Sequence, residues 1–148
     1  MQARLNHDSD ARDALPSNVL FFFGMLDLLR GVLHTFFVHW AAQTFAKLDL
    51  SAAGQDQLML LSAFGASNLL TGMIYILVSR RAKALSKYVL LLVPCAYALG
   101  LVGMKLSDVT PEAAFLGKYF MFAYFGICLA TFAFSTYRWR SAKADSRT

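Results

Sequence analysis

Hydrophobic and polar positions fall in long blocks along this chain rather than alternating residue by residue. Four apolar runs, 19–46, 58–78, 88–104 and 113–137, are separated by short stretches that hold most of the charges. Crossing a hydrocarbon core of ~30 Å takes about 20 helical residues, with a range of roughly 17–25. Backbone N–H and C=O groups find no water there, so each run predicts a membrane-spanning helix. The pattern sets helices at about 17–46, 57–79, 86–105 and 111–137. They form one transmembrane domain, 17–137, between a polar tail at 1–16 and a basic tail at 138–148. The first run exceeds the length needed and should tilt or project from the bilayer, while the third is at the short end. Connections this short favour an antiparallel up-down-up-down arrangement. The expected fold class is an all-α membrane protein, a four-transmembrane antiparallel helix bundle.

The connections carry helix punctuation. In KLSDVTPEAAF, Thr110 can cap, Pro111 suits the first helical position, and Glu112 complements the positive end of the helix dipole. In KLDLSAAGQDQ, Asp49 or Ser51 can cap a brief turn before the second helix.

Composition agrees with the blocks. Of 148 residues, 57% are hydrophobic and 16% charged, with mean hydropathy +0.49. A soluble domain would sit nearer ~45–50% apolar and ~25% charged. A cleaved signal peptide fits poorly, because Asp8, Asp10 and Asp13 stand beside Arg4 and Arg12 and the apolar run that follows is too long. The tail is expected to be mobile or to rest on the membrane surface.

Charge then sets the orientation. The tail, the SRRAKALSK connection and the C-terminal segment hold ten basic residues: Arg4, Arg12, Arg80, Arg81, Lys83, Lys87, Arg138, Arg140, Lys143 and Arg147. The opposite side has Lys47, Lys105 and Lys118. The positive-inside rule places both termini in the cytoplasm, and the expected location is the inner membrane of a bacterium. The net charge of +5 is accounted for by topology and by attraction to anionic lipid heads, without nucleic acid. Trp40, Tyr137 and Trp139 fit the interfacial belts.

Chemistry concentrates in LDLLRGVLHTFFVHW, residues 26–40. At ~100° per residue, Asp27, Arg30 and His34 share one helical face within about 60°, with Phe23 and Ala41 extending the stripe. His39 points away from that face and belongs to the outer interface. One charge at such depth costs ~2.5–3.5 kcal/mol, and an Asp–Arg pair at i, i+3 offsets it. Counting depth along the other helices brings Asn68, Tyr97, Tyr124 and Cys128 to the layer of Asp27 and Arg30, with His34 a turn above. The second helix has a stripe of Gly65, Asn68, Gly72 and Tyr75. The fourth repeats Gly117, Met121, Tyr124, Cys128, Thr131 and Ser135 at the spacing of a left-handed packing seam. Gly65, Gly72, Gly100, Gly103, Cys128 and Thr131 are the expected packing positions, since small residues let membrane helices approach closely. Pro94 should bend the third helix and free a carbonyl one turn earlier.

Two readings of the layer follow. In one, Asp27 and Arg30 pair, Asn68 and a tyrosine satisfy what remains, and the layer fixes which helices meet. In the other, the same residues line a cavity that binds a polar head or moves a proton. Haem ligation by His34 and His39 is geometrically poor, because i, i+5 side chains diverge. A metal site lacks partners, the remaining histidine being His7 in the tail. Cys95 and Cys128 share a depth without a C-x-x-C arrangement and are expected as packing residues.

LLRGVLH in the first helix, followed by GASNLLTGMIYIL in the second, resembles small bacterial four-helix membrane proteins of the DoxX-like kind. The resemblance covers most of the chain as a pattern of lengths and glycines. It implies a compact four-helix bundle acting as an accessory component, and it carries over no catalytic residue. In outline the chain is also similar to small multidrug exporters, which have a membrane carboxylate in the first of four helices. Here the acid is Asp27 rather than a glutamate, and Arg30 beside it would hold it ionised, against the needs of proton coupling.

The leading expectation is a non-catalytic accessory or binding component, of a membrane complex or for a lipid-like ligand, with no cofactor. Asp27, Arg30, His34, Asn68, Tyr97 and Tyr124 would form its site. Arg30 would receive an anionic or carbonyl group and Asp27 would orient it. Its partners would be the lipid bilayer and a membrane protein or a second copy. A small dimeric proton-linked transporter using Asp27 and His34 is the alternative. A quinone-contacting oxidoreductase subunit using His34 and Tyr124 is the third.

Overall fold

The computed structural model describes the backbone of residues 2–51, 53–109 and 117–145, and side chains across 13–51, 53–109 and 119–141. All regular structure among the described residues is helical. The long helices are α1 (Gln2–Phe36), α3 (Gly54–Arg81), α4 (Ser86–Leu106) and α5 (Gly117–Asp145). Between α1 and α3 lie a short α2 (Val38–Ala41) and a π-helical turn, Ala42–Ala46; a 3-10 turn, Lys83–Leu85, precedes α4. Four segments are long and apolar enough to cross a membrane: Asp13–Phe36, Gly54–Arg81, Lys83–Leu106 and Tyr119–Ser141. Large apolar side chains face outward, Leu106 and Phe120 more than four-fifths exposed. This suits a surface solvated by hydrocarbon.

α1 is the hub, packing against α3, α4 and α5. Its closest neighbour is α3, and glycine is the reason. A Cβ at Gly72 would stand 2.7 Å from the Gly24 carbonyl oxygen, and one at Gly31 would stand 2.6 Å from the Leu69 side chain. At Gly65 it would meet Thr35 Oγ1 at 2.5 Å and His34 at 2.9 Å. The glycines recur seven residues apart on each helix, 24 and 31 against 65 and 72. Rising numbers on α1 therefore meet falling numbers on α3. Lipid gives no hydrophobic drive to helix association, so such close backbone packing must supply it.

The second contact zone joins α1, α4 and α5 at one end of the molecule. Leu20, Phe23, Leu90, Val93 and Cys128 are buried there, with Tyr75, Val78, Tyr124 and Phe125 packed around them. The α5 seam holds its expected face: Cys128 and Thr131 are buried, and Met121, Tyr124 and Ser135 half-buried.

The structure departs from the sequence pattern in three places. Helical backbone begins at Gln2 rather than near 17, running through Pro16, which is buried, with the Ser17 hydroxyl donating to the Ala14 carbonyl at 3.0 Å. The first helix does not run to 46. It breaks at Phe37 (φ −117°, ψ 37°), within a run of β-branched and aromatic residues of low helix propensity, and the π turn ends at Lys47 in the left-handed region. Gly100 and Gly103 are not packing positions among the described residues: a Cβ at either meets nothing within 4 Å there. α4 runs unbroken through Pro94, which has no N–H for the Leu90 carbonyl, and residues 95–109 are all exposed.

Asp49 and Ser51 form the turn expected of them, with the Ser51 N–H donating to Asp49 Oδ1 at 2.9 Å. The Ser51 hydroxyl, and after it the Ser51 N–H, hold the exposed Asp49 carboxyl below its usual range. The residue before α3 is nevertheless Ala53, left-handed and without a side-chain cap. The cap expected at Thr110, Pro111 and Glu112 lies outside the described residues.

Candidate functional site: a polar cavity among four helices

A cavity of about 210 Å³ lies where the four long helices converge. α1 contributes Asp27 and Arg30 to its wall, α3 contributes Asn68, Thr71 and Tyr75, and α5 contributes Met121 and Tyr124. Val93, Ala96 and Tyr97 come from α4, on either side of Pro94.

Asp27 anchors the wall. It is 5% exposed, and both its carboxylate oxygens accept: Oδ1 from Arg30 Nη1 at 3.3 Å and Oδ2 from the Tyr124 hydroxyl at 3.5 Å. The i, i+3 spacing on α1 makes the first contact. The second depends on Phe23, one turn earlier, whose ring stacks on Tyr124 with centroids 3.9 Å apart and planes 26° apart. The apolar face of α1 thus aims a hydroxyl from α5 at a carboxylate on α1.

Arg30 is less completely engaged. Its Nη1 also lies 3.9 Å from Met121 Sδ, and the guanidinium sits 5.7 Å from the Phe64 ring centroid, a cation–π distance. Among the described residues its hydrogen bonds run through Nη1 alone, leaving the donors on Nη2 and Nε unmatched. Asn68 adds another: the residue is 6% exposed, and its Nδ2 is buried without a partner. The Thr71 hydroxyl donates to the Ser67 carbonyl at 2.9 Å, so it offers only lone pairs to the cavity. Tyr97 packs its ring on Phe125, with centroids 4.9 Å apart, and is 38% exposed at the rim.

The layer read from the sequence is therefore brought together at Asp27, Arg30, Asn68, Tyr97 and Tyr124. His34 is not part of the cavity wall. It stands one turn further along α1, its ring 5.8 Å from Phe64, backed against Gly65, with a buried Nδ1 lacking a partner. Cys128 and Thr131 are buried further along α5. Cys95 is exposed on α4, and both cysteines are free. Thr71, Tyr75 and Met121 were not expected as lining residues. The signal was nonetheless available: Tyr75 and Met121 lie on the same stripes as Asn68 and Tyr124, and Thr71 is one turn beyond Asn68.

Chemically the wall is rich in donors, from Arg30, Asn68 and the tyrosines. It suits holding a molecule that brings acceptors. The fold and site together define an all-helical chain with four apolar spans and a polar cavity among them. No family model, no curated protein and no solved structure matches the chain.

Proposed function

We propose that this chain is a multi-pass protein of a bacterial inner membrane, an antiparallel four-helix bundle with both termini cytoplasmic. It works as a non-catalytic binding component that holds the polar head of a membrane-dissolved, lipid-like molecule in the cavity among its helices. The orientation draws support from the basic end: Arg80 lies 4.3 Å from the Phe21 ring centroid and Lys87 5.7 Å from that of Trp139, so these basic groups gather at one end of the spans.

The observation that carries the binding role is a space large enough for a small head group with Arg30 and Asn68 in its wall, Arg30 making its hydrogen bonds through Nη1 alone and Asn68 holding a buried Nδ2 without a partner. A purely structural lock would use Asn68 on its own acceptors, because a buried unmatched group such as its Nδ2 costs about 1–3 kcal/mol. The proton-linked transporter and the quinone subunit both call on His34. Its place against α3, outside the cavity, supports neither.

Native mass spectrometry of the protein gently extracted from its own membrane tests this reading. Wild-type protein is expected to carry a small molecule that Asn68→Leu loses while staying folded. Bare protein in both cases would contradict it.

A further inference from the structure

We infer that the head group this cavity takes is uncharged and acceptor-bearing, an ester, carbonyl or hydroxyl head on an acyl chain, and that it enters sideways at the exposed rim formed by Ala96 and Tyr97 of α4. The inference rests on the binding role proposed above and adds the ligand's charge class and its route.

Charge decides the class. Asp27 accepts at both oxygens, as an ionised carboxylate does, and Arg30 faces it at 3.3 Å, so the two charges in the wall cancel. The remaining lining groups are neutral. An anionic head near Arg30 would stand within a few ångströms of the Asp27 carboxylate, in a medium where like charges repel strongly. A cationic head would meet Arg30 itself and find Asp27 already occupied. A neutral head meets neither penalty. Its acceptors suit what the lining residues leave unmatched, the Arg30 donors beyond Nη1 and the Asn68 amide.

The route follows from packing. α1 closes the cavity on one side by its tight seam with α3 and on another by its contacts with α4 and α5. On α4 the wall is open: Ala96 and Tyr97 line the cavity and are exposed, Tyr97 at 38%, and beyond them a Cβ at Gly100 or Gly103 would meet nothing within 4 Å among the described residues. This opening lies within the apolar spans, where a chain could remain in hydrocarbon while its head turns inward.

The test uses delipidated protein in detergent and four probes that share an eighteen-carbon chain: monoolein, oleate, oleylammonium and 1-octadecene. Their effects on the thermal unfolding midpoint are compared. Monoolein is expected to raise the midpoint by about 5 °C at saturation, and the other three by much less. Asn68→Leu, which removes an unmatched donor and so keeps the fold, is expected to abolish the monoolein shift. A larger shift with oleate or oleylammonium, lost in Asn68→Leu, would overturn the neutral-head inference and leave the binding cavity standing. Shifts that are absent, or equal for all four and indifferent to Asn68→Leu, would overturn both.

Discussion

The α1–α3 pair and the far half of α4 are built from the same material, glycine among large aliphatic and aromatic residues, and they behave in opposite ways. At Gly24, Gly31, Gly65 and Gly72 an added Cβ collides with the facing helix, at 2.5–2.8 Å. At Gly100, Gly103 and Gly126 it meets nothing within 4 Å among the described residues. The difference lies in register. Glycines on α1 and α3 recur every seven residues and meet across the interface, whereas those of α4 lie beyond Pro94, where the helix has left the core. A small residue in a membrane helix permits close approach; it does not create it. The polar cavity sits where the closed region gives way to the open one.

Four outcomes sharpen or break that contrast, and the largest falls on the boundary itself. Asp27→Leu leaves Arg30 without its carboxylate, and breaking a buried pair costs about 3–5 kcal/mol. Because the Arg30 side chain is 31% exposed, the low end of that range is expected in chemical unfolding. Asp27→Leu with Arg30→Leu should recover most of the loss. Next, Gly72→Ala puts a methyl against the Gly24 carbonyl and should cost about 1–3 kcal/mol, as overpacking does. A neutral result there would remove the case for a tight seam. Third, Asn68→Leu in ligand-free protein should gain about 1 kcal/mol, since it deletes a buried donor that has no partner. The smallest effect is Gly100→Leu, expected within about 0.5 kcal/mol of wild type in the same unfolding series. A large loss at Gly100 would mean that this face is covered, by a second copy or another protein.

Much of this was legible in the sequence, for reasons that can be named. Four apolar blocks match four helices long and apolar enough to cross a membrane, because lipid allows few other answers. The Asp27–Arg30 pair was readable from i, i+3 spacing, and Asn68 and Tyr124 from depth and face, since helical geometry is regular enough to count along. What could not be read depends on how helices lie against each other. Gly24 and Gly31 carry no mark of the seam in the sequence because a glycine's value depends on what faces it, and Gly100 and Gly103 resemble packing positions for the same reason. The break at Phe37 involves neither proline nor glycine and had only weak propensity to announce it. His34 shares the face of Asp27 and Arg30, yet the close approach at Gly65 turns it onto α3 and out of the cavity.

The central claim is that the unmatched donors of Arg30 and Asn68 wait for a ligand rather than lock the bundle. Its most direct test is an experimental structure of the protein in its own lipids, at a resolution that shows side chains. The account predicts a bound molecule with an acceptor about 3 Å from Asn68 Nδ2 and from an Arg30 donor, its tail leaving past Ala96 and Tyr97. A collapsed cavity, with Tyr75 or Tyr97 turned in to satisfy Asn68 and Arg30, would contradict it.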